Sequence, residues 1–296
     1  MLKWAGGKRQ LLPHLRRCYP TAFNRYIEPF FGSGAVFFDL HGAGRLRGHD
    51  AVLIDSNADL IGCYETVRDA ADEVAHELER LAAAHARGGR THYYAVRDTQ
   101  FNPLRDALRR ADGRIPYTPQ LAAMLIYLNR TGFNGLFRVN ARGAFNVPFG
   151  RYERPNIADR DKLAGVTEAL SSQRVRLLWG SFESALEIAE PGDFLYFDPP
   201  YAPVSRTASF TSYTALRFDR DDQIRLQQTA IKLAQRGCHV LLSNSTAGDI
   251  AALYENSSEA RAAGLRATRV PARRSINSNA LGRGVVDEFL ITNVEL

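Results

Sequence analysis

The chain is 296 residues long, 45% hydrophobic and 24% charged, with a formal net charge of +6, which suits one large or two modest globular domains and permits a polyanionic partner without requiring one. No apolar run approaches the ~20 residues of a bilayer span, and Met1-Leu2-Lys3-Trp4 lacks the apolar stretch of a secretory leader. The three cysteines, Cys18, Cys63 and Cys238, lie far apart without metal-ligand spacing, so the expectation is a cytoplasmic protein with reduced thiols, no metal and no membrane partner.

The first element in chain order is Lys3-Trp4-Ala5-Gly6-Gly7-Lys8, glycines between an aromatic ring and a lysine. It is not a phosphate-binding P-loop, because the spacing is wrong and Arg9 stands where Ser or Thr would hold Mg²⁺. Arg25–Glu28 reads as a strand leading into Phe30-Phe31-Gly32-Ser33-Gly34 and a helix start at Ala35–Leu40. Ala51–Asp55 is a second strand ending in an acid, 21 residues past Gly34. An acid at that distance from a glycine turn suits ribose hydroxyls. The third glycine of a dinucleotide fingerprint is missing, which favours a nucleoside over NAD.

From Leu60 the pattern turns helical, over Asp69–Ala86, Tyr93–Phe101 and Leu121–Leu128. Asn129–Tyr152, rich in Gly, Asn, Arg and aromatics, reads as a long ordered loop or hairpin. Strands are expected again at Arg174–Trp179, Phe194–Phe197 and His239–Ser243, with a helix at Asp222–Gln235 closed by Gly237. Alternating strands and helices argue for an α/β fold with a mostly parallel sheet. The expected division is a domain of residues 1–59 and 157–296 interrupted by a mainly helical insertion, 60–156. Arginines cluster at Arg130, Arg138, Arg142, Arg151 and Arg154, and again at Arg266, Arg269, Arg273 and Arg274.

Asp198-Pro199-Pro200-Tyr201 carries the most chemistry. Two prolines fix two φ angles and remove two N–H donors. What remains at the strand end is a rigid corner of carboxylate, carbonyls and a ring face, suited to a flat group bearing an NH₂, such as an exposed nucleobase amine.

In this order, Lys3–Lys8, Glu28–Gly34, Asp55-Ser56-Asn57 and Asp198–Tyr201 make the chain resemble the Dam-type DNA adenine-N6 methyltransferases of the D12 class. Tyr127–Arg130, Phe133–Leu136, Phe145–Tyr152 and Arg273–Ile276 extend the likeness over nearly the whole chain. The resemblance implies a Rossmann-like domain that binds S-adenosyl-L-methionine, releases S-adenosyl-L-homocysteine, and is interrupted by a helical target-recognition domain. It assigns Trp4, Lys8, Asp55 and Asp198 to the methyl donor. By their chemistry Trp4, Lys8 and the turn that holds Phe31, Gly32 and Gly34 suit the methionine end, where the donor carries a carboxylate, and Phe182 suits either a place beside the adenine or the core. Asp198, Pro199 and Tyr201 become the catalytic corner. No metal is implied, and no cysteine sits in a nucleophile setting.

The implied partner is double-stranded DNA, bound by a monomer, with the target adenine flipped out of the helix. Phe133 and Asn134 suit the gap left behind. Arg138 is the candidate reader of guanine, Leu136 and Pro148 suit thymine methyls, Lys3 and Tyr152 match base-contacting positions, Arg151 and Asn140 suit the backbone, and Arg130 joins the DNA-binding residues. The implied target is 5′-GATC-3′. The same corner would serve N4 of cytosine or an RNA amine, and a non-catalytic DNA-binding protein could keep such a scaffold.

Overall fold

Short apolar runs that end in an acid or a glycine turn fold as buried strands, and here they stack side by side. The computed structural model describes residues 1–4, 8–172, 174–202, 218–273 and 285–295. Strands β1 (Tyr26–Glu28), β2 (Ala51–Asp55), β3 (Val175–Trp179), β4 (Phe194–Phe197), β5 (His239–Ser245), β6 (Arg266–Arg273) and β7 (Val285–Thr292) form a seven-stranded sheet of order β3-β2-β1-β4-β5-β7-β6. The β2-β1-β4-β5 core is parallel, with Tyr26 opposite Ala51 on one side and Phe194 on the other. Every residue of β1 and β4 is buried, as expected for parallel strands covered on both faces.

Strand order reverses between β1 and β4. In open α/β sheets, ligands bind outside the carboxyl ends of the strands at such a switch point. The Phe30–Gly34 turn follows β1 and Asp198 follows β4, so the glycine-rich and proline-rich motifs flank that switch point.

The terminal pair β6 and β7 lies outside the expected strands, and β7 runs antiparallel to both β5 and β6. Arg266, Arg269 and Pro271 mask β6 in the sequence, and an edge strand tolerates them because one side needs no partner.

Counting described residues, 1–4 and 55–179 form one compact unit, while 8–54, 180–202 and 218–295 form another. The second carries helices α1 (Leu12–Leu15) and α2 (Ala35–Gly42), and the first carries α3 (Ala58–Asp69), α4 (Ala71–Ala95), α5 (Asn102–Leu108), α6 (Pro119–Thr131) and α7 (Arg160–Leu170). The segment 60–156, expected as a helical insertion, falls within the first unit, together with β3 and the described N-terminal residues. Helices α8 (Ala185–Ile188), α9 (Arg220–Gln235), α10 (Gly248–Leu253) and α11 (Ser258–Ala262) return to the second.

Helix α4 bends at Gly89 (φ 44°, ψ −121°), the break that the sequence shows as two separate helical patterns. It continues as a π-turn, Val96–Phe101, straight into α5. Helix α9 starts at Asp219, whose carboxylate accepts from the backbone of Asp221 and Asp222 while the Asp222 carboxylate accepts from the Asp219 N–H, and it stops before Gly237 (φ 90°). None of the described helices is long and apolar enough to cross a membrane.

Candidate functional site

Burial decides the chemistry at the end of β4. Lys8 opens a short 3-10 turn, and its side chain, 6% exposed, places Nζ 2.8 Å from Asp198 Oδ1. Ser243 Oγ, at the buried end of β5, donates to the same oxygen at 3.2 Å and shares a 3.0 Å hydrogen bond with the Tyr196 hydroxyl. Both contacts fall on Oδ1; among the described residues Oδ2 has no partner.

The ammonium of Lys8 also sits 4.2 Å from the centroid of the Tyr201 ring, whose hydroxyl donates to Glu288 Oε2 at 2.7 Å. Burial alone would push the Lys8 pKa down, but the Asp198 carboxylate beside it lifts it well above the ordinary value. Burial is the larger influence on Asp198 and raises its carboxyl above the usual aspartate range, against the pull of Lys8 and Ser243. Lys8, expected at the methionine end of the donor, pairs here with the acid of the corner itself.

The corner is braced from below. Gln223 Nε2 donates to the Pro200 carbonyl at 3.1 Å, while the Gln223 side-chain oxygen accepts from Asn244 at 2.9 Å. Ser245 Oγ donates to the Ala202 carbonyl at 2.9 Å. These contacts hold the Pro200 and Ala202 oxygens, and no hydrogen bond to the Pro199 carbonyl forms among the described residues. Gln223, Ser243, Ser245 and Glu288 escape a motif reading. Their signal is faint: three polar residues, Ser243-Asn244-Ser245, close an otherwise apolar strand and are all buried.

Glycines give the turn after β1 its shape. Gly32 and Gly34 take φ of 48° and 66°, and a Cβ on Gly34 would lie 2.5 Å from the Phe31 ring. Glu28, 1% exposed, accepts from the Tyr26 hydroxyl (2.8 Å) and the Phe37 backbone N–H (3.2 Å), tying β1 to the first turn of α2. Phe31 turns its ring into the core against Phe37 and Phe38. Its main chain is used within the fold: the N–H donates to the Ile54 carbonyl at 2.9 Å, and the carbonyl accepts from the Gly34 N–H at 2.6 Å. Phe182 is buried, stacked on Phe30 at 5.3 Å and edged by Phe218.

In the other unit, Asp55 ends β2 and accepts from the Asn57 N–H at 2.9 Å, while Asn57 caps α3. Trp4 stacks on Phe137 at 5.7 Å.

Asn129–Thr131 close α6 instead of opening the expected loop, and Gly132–Phe149 follows as a hairpin, pinned by isolated bridges at Gly132–Phe149 and Val139–Phe145. Phe133 is 49% exposed, and Asn134 holds φ 54°, the one positive value on a non-glycine residue among those described. That left-handed turn sets both side chains at the surface. Asn129 anchors it: its amide accepts from the Lys3 N–H at 2.7 Å and donates to the carbonyls of Lys3 (2.8 Å) and Gly135 (2.7 Å).

Lys3 Nζ lies 4.2 Å from the Tyr152 ring centroid, and burial with the nearby Arg130 charge lowers its pKa, so Lys3, Arg130 and Tyr152 are neighbours. Arg138 is exposed and held by Asn146, whose Oδ1 accepts from Nε at 2.8 Å. Pro148 and Arg151 are exposed, and Leu136 is half-buried. Asn140, expected at the DNA backbone, also builds the hairpin tip, its side-chain oxygen accepting from the N–H groups of Arg142 and Ala144. Ala5-Gly6-Gly7 and Arg274-Ser275-Ile276 lie outside the described residues, as does the Arg273 side chain. Among the described residues no three His, Cys, Asp or Glu side chains gather as metal ligands.

Known proteins match this chain along almost its full length. The model of the D12 class N6 adenine-specific DNA methyltransferases matches residues 4–268. A type II methyltransferase of Methanocaldococcus jannaschii, M.MjaIII, is 39% identical over 306 residues, covering 99% of this chain and 98% of its own. M1.LlaDCHI of Lactococcus lactis subsp. cremoris is 38% identical, with 98% and 94% covered. The DNA adenine methylase of Escherichia coli strain K12 is 35% identical, with 98% and 93% covered. The amine methylated is therefore that of adenine in DNA rather than that of cytosine or of RNA, and the chain belongs to the D12 class of N6 adenine-specific DNA methyltransferases.

Proposed function

We propose that this DNA adenine methyltransferase takes its methyl group from S-adenosyl-L-methionine and acts on an adenine flipped out of 5′-GATC-3′. The observation that carries the catalytic part is the Asp198 corner. Lys8 and Ser243 occupy Oδ1, Gln223 occupies the Pro200 carbonyl, and Oδ2 and the Pro199 carbonyl have no partners among the described residues. Two acceptors on a rigid turn match the two protons of an exocyclic amine.

The amine nitrogen is a weak nucleophile because its lone pair is delocalised into the ring. Hydrogen bonds to Asp198 and Pro199 draw the nitrogen toward a tetrahedral shape and fix its direction, so that alignment supplies much of the rate. Lys8 occupies one face of Tyr201, and the base stacks on the opposite one. S-adenosylmethionine, when bound, supplies an activated methyl group. The glycine turn at Phe31–Gly34 fits its methionine end, Phe182 the neighbourhood of its purine, and Trp4 and Asp55 keep the roles that resemblance assigns them.

On the DNA side, Phe133 enters the gap left by the adenine and Asn134 bonds the orphaned base. Arg138 takes a guanine edge, Leu136 and Pro148 face thymine methyls, Lys3 and Tyr152 contact bases, and Arg130, Arg151 and Asn140 hold the backbone. Mapping N6-methyladenine across a plasmid that carries the gene tests the target. Methylation confined to GATC is expected, and another consensus overturns the assignment of the readers.

A further inference from the structure

The hairpin that carries Arg138 has two isolated bridges in place of a ladder, and a two-stranded ribbon of that kind holds little shape alone. Tyr93 and Arg97 hold its return arm by donating to the Val147 carbonyl, and α5 holds the part that faces Arg138. Asn102, the first residue of that helix, donates from Nδ2 to the Phe145 carbonyl at 3.0 Å and accepts the Phe145 N–H on Oδ1 at 2.8 Å. One side chain thus satisfies both main-chain groups of a hairpin residue, as a neighbouring strand would.

The next residue is Asn146. Its N–H donates to the Arg138 carbonyl at 3.0 Å, its Oδ1 accepts from Arg138 Nε at 2.8 Å, and its carbonyl accepts from Nη2 at 3.3 Å. One turn along α5, Arg105 donates to the Gly143 carbonyl at 2.7 Å and is itself locked by Asp59, Nη2 to Oδ2 at 2.7 Å, with both side chains buried. The π-turn before Asn102 sets the phase of α5 against α4; such insertions recur at functional sites.

We propose that Asn102 is a positioning residue for base recognition: it fixes Phe145, and through Asn146 it aims the guanidinium of Arg138. This rests on Arg138 being a base reader. An exposed arginine left to rotate adapts to several base edges, whereas one held at both Nε and Nη2 meets right and wrong bases in a single geometry.

The test measures kcat/KM of the full chain on the plasmid-mapped target duplex and on duplexes changed at one base pair. Arg138→Ala is expected to lower the discrimination ratio at one position by ~10-fold or more. Asn102→Ala and Asn146→Ala should each lower it ~5-fold at that same position, through KM rather than kcat, and Asn146→Ala should add nothing once Arg138 is Ala. A ratio unchanged in Asn102→Ala and Asn146→Ala, with Arg138→Ala still effective, overturns the positioning role alone. An even loss at every position together with a lower Tm also overturns it, as a purely structural effect. Should Arg138→Ala leave the ratio intact, the reader assignment fails first and this inference with it. If Asn102→Ala does not fold, Asn102→Asp, which keeps the acceptor for the Phe145 N–H and loses the donor to its carbonyl, takes its place with the same expected drop and the same overturning result.

Discussion

Asp198 shows how one carboxylate can be both held and available. Lys8 and Ser243 take one oxygen, and burial lifts the carboxyl above the ordinary aspartate range. Accepting amine protons requires the ionised form. In the proposed role, the raised pKa means that activity should be lost on the acid side at a pH above that at which an exposed aspartate would titrate. Removing the ammonium removes the opposing pull, so in Lys8→Met the acid limb of kcat should move to still higher pH; a limb that stays put or moves down would contradict the pairing. Asp198→Ala should lower kcat by ~10²–10³-fold, the scale seen for lost transition-state hydrogen-bonding groups, while duplex affinity stays within about twofold. Single-turnover methylation and a gel-shift titration measure the two effects. Asp198 is legible in the sequence because two prolines and an aromatic after an apolar strand are rare. Lys8 and Ser243 are not legible as its partners, since they come from positions far along the chain.

Secondary structure here depends on end signals as much as on apolar periodicity. Asp219 and Asp222 form the reciprocal cap of α9, so Asp219→Ala should destabilise the fold by about 1 kcal/mol, read as a lower urea midpoint with an unchanged slope. Gly34 faces a stricter demand. At φ 66°, with the Phe31 ring 2.5 Å from where a Cβ would stand, Gly34→Ala should cost about 2–4 kcal/mol and lower the Tm by several degrees. Strands β2 and β4 match their expected bounds because the apolar runs end at an acid in one case and before one in the other. Strands β6 and β7 carry no such signal; β6 mixes arginines and a proline on a sheet edge, and β7 gains its meaning only from lying between β5 and β6.

At the scale of the molecule, cationic side chains that neutralise DNA phosphates make binding sensitive to salt, with affinity falling as salt rises because the release of counterions from DNA gains less. Arg151, exposed beside the hairpin, should contribute one phosphate contact. Arg151→Ala should weaken all duplexes alike and reduce the slope of log affinity against log salt by ~1. A loss confined to the cognate duplex would move Arg151 from the phosphates to the bases.

The sequence by itself determined the class of chemistry, because Asp198-Pro199-Pro200-Tyr201, the Phe30–Gly34 turn and the Asn129–Tyr152 segment are local patterns whose backbone demands can be read residue by residue. Only the tertiary structure decided which oxygen of Asp198 is engaged, that Glu288 and Gln223 brace the corner, and that Asn102 holds the hairpin. Those are contacts between residues dozens to hundreds of positions apart, set by strand order and helix phase, and no local pattern encodes which distant side chain will fill a given hydrogen bond.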